Sequence, residues 1–175
     1  LDKKAIFLDR DGVINEEVNY LYQIENFKFI KGVFDACLYF QKLNYKIIIV
    51  SNQSGITRGY YTDYDYKKLT TWMLNQFNLK NISVLDTFHC PHGPDSKCYC
   101  RKPEPGMLID AMRKHNICME ESWMIGDKET DISAANNAGV SKTILVRSGH
   151  TNDEFNSNAK HIINSVRESK DIIKF

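Results

Sequence analysis

The sequence lacks the features that would direct a chain to a membrane or to nucleic acid. No hydrophobic run approaches the roughly 18 apolar residues that a membrane span requires. The 23 basic and 22 acidic residues leave a formal net charge of +1, so no global charge favours a nucleic acid or an anionic membrane as partner. The start of the chain, residues 1–4, lacks the apolar stretch of a secretory signal. These absences predict a cytoplasmic protein.

The chain also lacks internal repeats, low-complexity tracts and a recognisable linker, and it contains only four prolines. Hydrophobic residues make up 42% and charged residues 26% of its 175 residues, which is ordinary for a globular protein. This length suits one domain with a sizeable core. We therefore predict a single domain over residues 1–175, and nothing in the sequence demands more than a monomer.

Short apolar runs alternate with amphipathic stretches along the chain. The runs predict strands at Ala5–Leu8, Ile47–Val50, Val84–Phe88, Trp123–Ile125, Thr143–Val146 and His161–Ile163. Helical periodicity predicts helices at Val33–Leu43, at Asp63–Phe77, from Pro105 onward, at Thr130–Ala138 and at the end of the chain. This alternation favours an α/β fold with a doubly wound, mostly parallel sheet.

In such sheets a ligand site lies beyond the carboxyl ends of the strands. Polar residues stand at these positions here. They are Asp9 and Asp11 after the first strand, Ser51, Asn52 and Gln53 after the second, and Gly126 and Asp127 after the fourth. Lys102 precedes a helix. Taken alone, each of these residues could simply belong to a turn, cap a helix or be a solvated charge. Their joint placement is what indicates a site.

The pair Asp9 and Asp11 suits phosphoryl transfer. Asp9 can attack phosphorus as a nucleophile, while Asp11 can protonate the leaving oxygen and later deprotonate a water. Attack on a phosphate dianion by a carboxylate requires a cation, so Mg²⁺ is expected, with Asp127 as a further ligand. Lys102, the Ser51 hydroxyl and an amide of Asn52 would hold the phosphoryl oxygens.

The set Asp9-x-Asp11-Gly12, Ser51, Lys102-Pro103 and Gly126-Asp127-x-x-x-Asp131 resembles the four ordered motifs of the haloacid dehalogenase superfamily. The resemblance implies a phosphatase acting through an aspartyl phosphate on Asp9, with Asp11 as the acid and base. It also implies Mg²⁺ held by Asp9, the Asp11 carbonyl and Asp127. The interval between Asp9 and Ser51 is too short for a large cap domain.

Five cysteines are present, an odd number, and three of them lie within eleven residues. Cys90, His92, Cys98 and Cys100 supply three thiolates and an imidazole, which suits tetrahedral Zn²⁺ in a structural site. A loop of free thiols, a Cys98–Cys100 disulfide, or His89 in place of His92 are the alternatives. Zinc would brace the loop at 90–102 and so place Arg101 and Lys102.

The cysteine loop and the segment 51–59 narrow the resemblance to two groups, both with Zn²⁺ and Mg²⁺. These are the heptose 1,7-bisphosphate 7-phosphatases and the histidinol-phosphate phosphatases. In the heptose group the matching substrate-binding residues are Glu17, Val18, Asn19, Tyr20, Ser51, Asn52, Gln53, Ser54, Arg101, Lys102 and Lys128.

The charges alone do not separate the two substrates. Arg58, Arg101 and Lys128 suit the second phosphate of a heptose bisphosphate, whereas Glu16, Glu17 and Tyr20 could hold a cationic amine and an imidazole. Two features favour heptose bisphosphate: no second catalytic domain follows, and Lys128 stands beside Asp127 as it does in the heptose group. Histidinol phosphate remains the alternative.

Overall fold

A computed structural model describes residues 2–150 and 156–174. Within these residues the chain forms one six-stranded sheet, flanked by helices, in which every pairing is parallel. The strands are β1 Ala5–Leu8, β2 Lys46–Asn52, β3 Val84–Cys90, β4 Trp123–Gly126, β5 Lys142–Val146 and β6 His161–Ile163. The helices are α1 Val33–Lys42, α2 Asp63–Leu79, α3 Gly106–His115 and α4 Glu129–Asn137. The predicted α/β class and parallel sheet are confirmed.

The strands are apolar on both faces because both faces of the sheet are covered. Alternate side chains of β1 divide between two cores: Ile6 and Leu8 enter one, Ala5 and Phe7 the other. The first core also contains α1 and α2 side chains such as Phe40 and Phe77. The second contains small and flexible residues of α3 and α4: Met107, Leu108, Ala111, Ala134 and Ala135.

The order of the strands places the candidate site. It runs β3-β2-β1-β4-β5-β6, so the chain winds outward on one side of β1 and then returns to β4 on the other. The direction of winding reverses between β1 and β4, and ligands bind in the crevice at such a point. Asp9 follows β1 there, with its backbone N–H donating to the Ile125 carbonyl at 3.1 Å, and Asp127 follows β4.

Two helix starts are fixed by their own side chains. Thr62 and Asp65 form a reciprocal capping pair at the start of α2. At the start of α4, Asp131 accepts hydrogen bonds from the backbone N–H groups of Asp127 and Lys128, both at 3.1 Å. The second cap ties the end of β4 directly to the first turn of α4.

The segment between β1 and α1 contains a 3₁₀ turn at Ile24–Asn26 and an antiparallel bridge between Asn15 and Phe29. This connection is short. The described residues contain no large cap domain here or elsewhere. The prediction of an uncapped fold is confirmed.

The structure corrects one predicted element. The final helix is a 3₁₀ helix over Val166–Asp171, with hydrogen bonds such as Glu168 N–H to Ser165 C=O at 3.1 Å. The six residues make two turns at the roughly three residues per turn of a 3₁₀ helix, a form that proteins use in short segments. The strand β3 also runs to Cys90, two residues past its predicted end. The single-domain prediction includes residues 1, 151–155 and 175, which lie outside the described residues.

No described helix combines the length and apolar character that crossing a bilayer requires.

Candidate active site

A cavity of about 430 Å³ opens at the carboxyl ends of the strands. Loops after β1, β2 and β4 and the loop before α3 form its walls. Its lining includes all but one of the predicted substrate-binding residues: Glu17, Val18, Asn19, Tyr20, Asn52, Gln53, Ser54, Arg58, Arg101, Lys102 and Lys128. The exception is Ser51, which is 1% exposed and is not among the residues that line the cavity. The topology thus brings together residues that are far apart in sequence.

Lys102 is the central cation of this cavity. Its ammonium lies 2.8 Å from Asp9 Oδ1 and 2.6 Å from Asp131 Oδ1, and it donates to the Val50 carbonyl at 2.8 Å. The Lys102 side chain is 2% exposed. Burial lowers the pKa of Lys102, but its ion pairs with Asp131 and Asp9 outweigh that effect, and the net shift is upward. Lys102 therefore stays charged at neutral pH.

The carboxylates around Lys102 outnumber it. Ligand oxygens of Asp9, Asp127 and Asp131 lie within 4.8 Å of one another, and all three residues are buried. Burial and repulsion from Asp131 raise the pKa of Asp9 to about 6. Burial and repulsion from Asp9 raise the pKa of Asp127 to about 7. These raised pKa values reflect three buried carboxylates gathered around one ammonium, an arrangement that suits a divalent cation.

Asp11 is held by three side chains around it. Arg10 donates to Asp11 Oδ1 from Nη2 at 3.0 Å, and Asn15 Nδ2 donates to the same oxygen at 3.0 Å. Gln53 Nε2 donates to Asp11 Oδ2 at 3.2 Å. The buried Arg10 also donates to the Leu21 carbonyl at 3.0 Å, which anchors the loop after β1. Sequence reasoning missed Arg10 because an arginine inside a motif offers no signal that it is buried.

The end of β2 differs in detail from the prediction. The Ser51 hydroxyl accepts a hydrogen bond from Gln53 Nε2 at 2.6 Å. The Asn52 side chain pairs with the backbone of Lys102: Nδ2 donates to the carbonyl and Oδ1 accepts from the N–H, both at 3.1 Å. The side-chain amide of Asn52 therefore positions the backbone of Lys102.

His150 is a second residue that sequence reasoning missed. It lies in the segment after β5, and its Nδ1 is 2.6 Å from Asp127 Oδ2. Its Nε2 lies 3.5 Å from Glu17 Oε1. Burial, followed by repulsion from Asp11 and Asp127, raises the pKa of Glu17 to about 7. A lone histidine after a strand resembles many surface histidines, so the sequence offers no means of finding this contact.

The side chains of Cys90, His92, Cys98 and Cys100 converge at one point in the loop before α3. Cys90 Sγ lies 3.0 Å from Cys100 Sγ, 3.6 Å from Cys98 Sγ and 3.4 Å from His92 Nδ1. The edges of a tetrahedral zinc site with these ligands are about 3.5–3.8 Å. All five cysteines are free, so the alternative of a Cys98–Cys100 disulfide is wrong. His89 instead faces Asp63 at 3.2 Å and is outside the cluster.

The cysteine loop and the cavity share a wall. Arg101 follows the last cysteine, lines the cavity, and donates from Nη1 to the His92 carbonyl at 3.0 Å. On the other side of the loop, Thr57 donates from both its hydroxyl and its backbone N–H to the Pro91 carbonyl. The loop that holds the cysteines therefore contributes Arg101 to the lining and is joined through Thr57 to a second segment that lines the cavity.

Known proteins match this chain over nearly its full length. It is 45% identical over 163 residues to the D-glycero-alpha-D-manno-heptose-1,7-bisphosphate 7-phosphatase of Photorhabdus laumondii, with 89% of each chain covered. The chain belongs to the heptose-bisphosphate phosphatase family. A second relative in this family is the D-glycero-beta-D-manno-heptose-1,7-bisphosphate 7-phosphatase of the same organism. It is 41% identical, with 97% of this chain and 95% of the relative covered.

The wider haloacid dehalogenase relationship is also supported. A family model described as HAD-hydrolase-like matches residues 99–169. A crystal structure of the heptose-bisphosphate phosphatase family, the B. bronchiseptica D,D-heptose 1,7-bisphosphate phosphatase complexed with magnesium and phosphate, superimposes with a TM-score of 0.85. That protein is 26% identical, with 97% of each chain covered. The predicted superfamily is confirmed.

The raised pKa of Asp127 predicts how stability depends on pH without added magnesium. Because its pKa is about 7 in the folded protein and 3.8 normally, the folded state binds more protons between these values. The contribution of Asp127 to the free energy of unfolding should therefore fall as pH rises from about 4 to about 7, by roughly 1–4 kcal/mol. The Asp127→Asn variant should lack this component. Urea unfolding of both proteins from pH 5 to 8 tests it, and parallel curves would contradict it.

Proposed function

We propose that this chain is a magnesium-dependent phosphatase that removes the 7-phosphate of D-glycero-D-manno-heptose 1,7-bisphosphate. The observation that carries the proposal is the buried ion pair of Lys102 with Asp9, which both line the cavity and lie beside the buried Asp127. The names of the relatives support the heptose substrate. Such an enzyme would serve heptose synthesis for surface glycans.

Asp9 is the proposed nucleophile. Lys102 holds its Oδ1, which orients the carboxylate and favours its ionised form against the effect of burial. A carboxylate oxygen of Asp9 forms a bond to phosphorus as the bond from phosphorus to the sugar oxygen breaks. Asp11 gives its proton to that departing oxygen, so the sugar leaves as an alcohol and the phosphoryl group stays on Asp9.

The second half of the reaction returns Asp9 to its starting state. Asp11, now ionised, takes a proton from a water molecule, whose oxygen bonds to phosphorus. The bond between phosphorus and Asp9 breaks, and inorganic phosphate leaves. Lys102 and the Ser51 hydroxyl are the proposed contributors to charge stabilisation. Gln53 Nε2 donates to the Ser51 hydroxyl and fixes its oxygen.

The residues present fit magnesium. Asp9 and Asp127 supply the proposed side-chain oxygens, and the resemblance adds the backbone carbonyl of Asp11. Asp131 is occupied by Lys102 and by the two N–H groups at the start of α4, so we assign it to positioning. When bound, the ion offsets the repulsion between the Asp9 carboxylate and the incoming phosphate.

The distribution of cations supports a bisphosphate substrate. Arg58, Arg101 and Lys128 line the cavity in addition to Lys102, and they are the proposed partners of the second phosphate. Histidinol phosphate would require carboxylates instead. Of the two candidates, Glu16 does not line the cavity and Glu17 has a pKa raised to about 7, which weakens its hold on a cationic amine.

We further infer that Cys90, His92, Cys98 and Cys100 bind a structural Zn²⁺. The convergence of three thiols and one imidazole supports it. Burial raises the pKa of Cys90, so a buried thiolate there requires a compensating cation. The cytoplasmic location, the single domain and the monomeric state remain predictions.

Phosphate release from two substrates tests the function. The wild-type protein with Mg²⁺ should hydrolyse heptose 1,7-bisphosphate with a kcat/KM at least about tenfold above that for histidinol phosphate, since the cations match only the former. Asp9→Asn should keep its circular dichroism spectrum and release no phosphate from either. Equal or reversed rates would overturn the substrate assignment, and an active Asp9→Asn protein would overturn the nucleophile.

Zinc is tested by a pair of cysteine variants. Cys98→Ser should lose bound zinc and unfold at a lower temperature, because the metal closes a loop with few other constraints. Cys118→Ser is the matched control, since Cys118 lies outside the cluster, and it should retain one zinc per chain. Elemental analysis and thermal unfolding measure both effects. Wild-type protein that contains no zinc, yet is equally stable with and without chelator, would contradict the assignment.

A further inference from the structure

His150 makes two contacts with one oxygen of a buried carboxylate. Its backbone N–H donates to Asp127 Oδ2 at 2.9 Å, and its ring Nδ1 lies 2.6 Å from the same atom. An ionised carboxylate can only accept hydrogen bonds, so the imidazole must carry a proton on Nδ1 when Asp127 is ionised. The Asp127 side chain is fully buried, whereas the His150 side chain is 34% exposed. The histidine thus reaches inward from the cavity rim.

The segment that carries His150 is fastened against the same carboxylate. Ser148 Oγ donates to the Gly12 carbonyl at 2.7 Å. A Cβ at Gly149 would lie 2.1 Å from Asp127 Oδ2, so only a glycine allows the backbone this close. Gly12 has a φ of +86°, and a Cβ there would lie 2.4 Å from Asp127 Oδ2. Residues 148–150 and the turn after β1 therefore enclose the Asp127 carboxylate from two sides.

We propose that His150 is a positioning residue that fixes the Asp127 carboxylate for a divalent cation. The inference rests on the proposed function only in taking Asp127 as a magnesium ligand. A carboxylate with one oxygen held by two N–H groups cannot rotate freely, and partners of this kind typically strengthen metal binding 10–100-fold. The contact of Nε2 with Glu17, at 3.5 Å, orients the far side of the ring.

Three substitutions separate the role of Nδ1 from that of the ring as a whole. In His150→Asn the side-chain amide nitrogen occupies the place of Nδ1 and can donate to Asp127. In His150→Gln the amide reaches the place of Nε2 instead, and His150→Ala has neither donor. The backbone N–H contact is common to all three. Calorimetric titration with Mg²⁺, without substrate, measures the dissociation constant directly, and thermal unfolding checks that each variant is folded.

We expect the Mg²⁺ dissociation constant to rise about tenfold in His150→Ala and in His150→Gln, and to stay within about threefold of the wild type in His150→Asn. Hydrolysis should recover at saturating Mg²⁺ in all variants. An unchanged dissociation constant in His150→Ala would overturn the proposal, as would equal weakening in the Asn and Ala variants. Failure to hydrolyse heptose bisphosphate would instead count against the proposed function, because Mg²⁺ binding is measured without it.

Discussion

The site depends on one buried cation, Lys102, shared by two carboxylates. A lysine that is 2% exposed needs partners, because an unpaired ammonium in the interior is strongly disfavoured. Asp9 and Asp131 supply them from the ends of β1 and the start of α4, and the Asn52 side chain fixes the backbone of Lys102 from the end of β2. Two strand ends, one helix start and one loop therefore meet around Lys102.

The buried carboxylates around Lys102 carry more negative charge than its ammonium balances. Asp127 adds a further buried carboxylate whose pKa is raised to about 7 by burial and by Asp9 and Asp131. Without a bound cation such a cluster lowers the stability of the fold, since each carboxylate is desolvated and repelled by its neighbours. The same negative charge would attract and bind a divalent cation. The electrostatics of the cavity floor thus provide a physical reason for the metal dependence proposed here.

The walls of the cavity come from loops, because the described residues include no cap domain that could close over it. Irregular loops have few backbone hydrogen bonds of their own and need other restraints. Arg10 anchors the loop after β1 at the Leu21 carbonyl, and Arg101 donates to the His92 carbonyl within its own loop. Contacts of this kind hold the loops of an uncapped site in place, and they allow its cations to keep fixed positions around a small sugar phosphate.

The sequence predicted the order of strands and helices, and it singled out residues that the structure brings together at the cavity, because apolar runs and the motifs around Asp9, Lys102 and Asp127 are local signals. It could not predict contacts that depend on three-dimensional proximity. His150 approaches Asp127 only because β4 and β5 are neighbours, and Arg10 is buried only because its loop folds back over it.

The most direct test of the central role of Lys102 compares a single and a double variant by urea unfolding at pH 8 without added magnesium. Lys102→Met should lower the free energy of unfolding by about 3–5 kcal/mol, because Asp9 and Asp131 are left buried without their cation. Adding Asp131→Asn to it should recover part of that loss, since it removes one of the two charges. A Lys102→Met protein as stable as the wild type, or a double variant with no recovery, would contradict the charge balance described for this site.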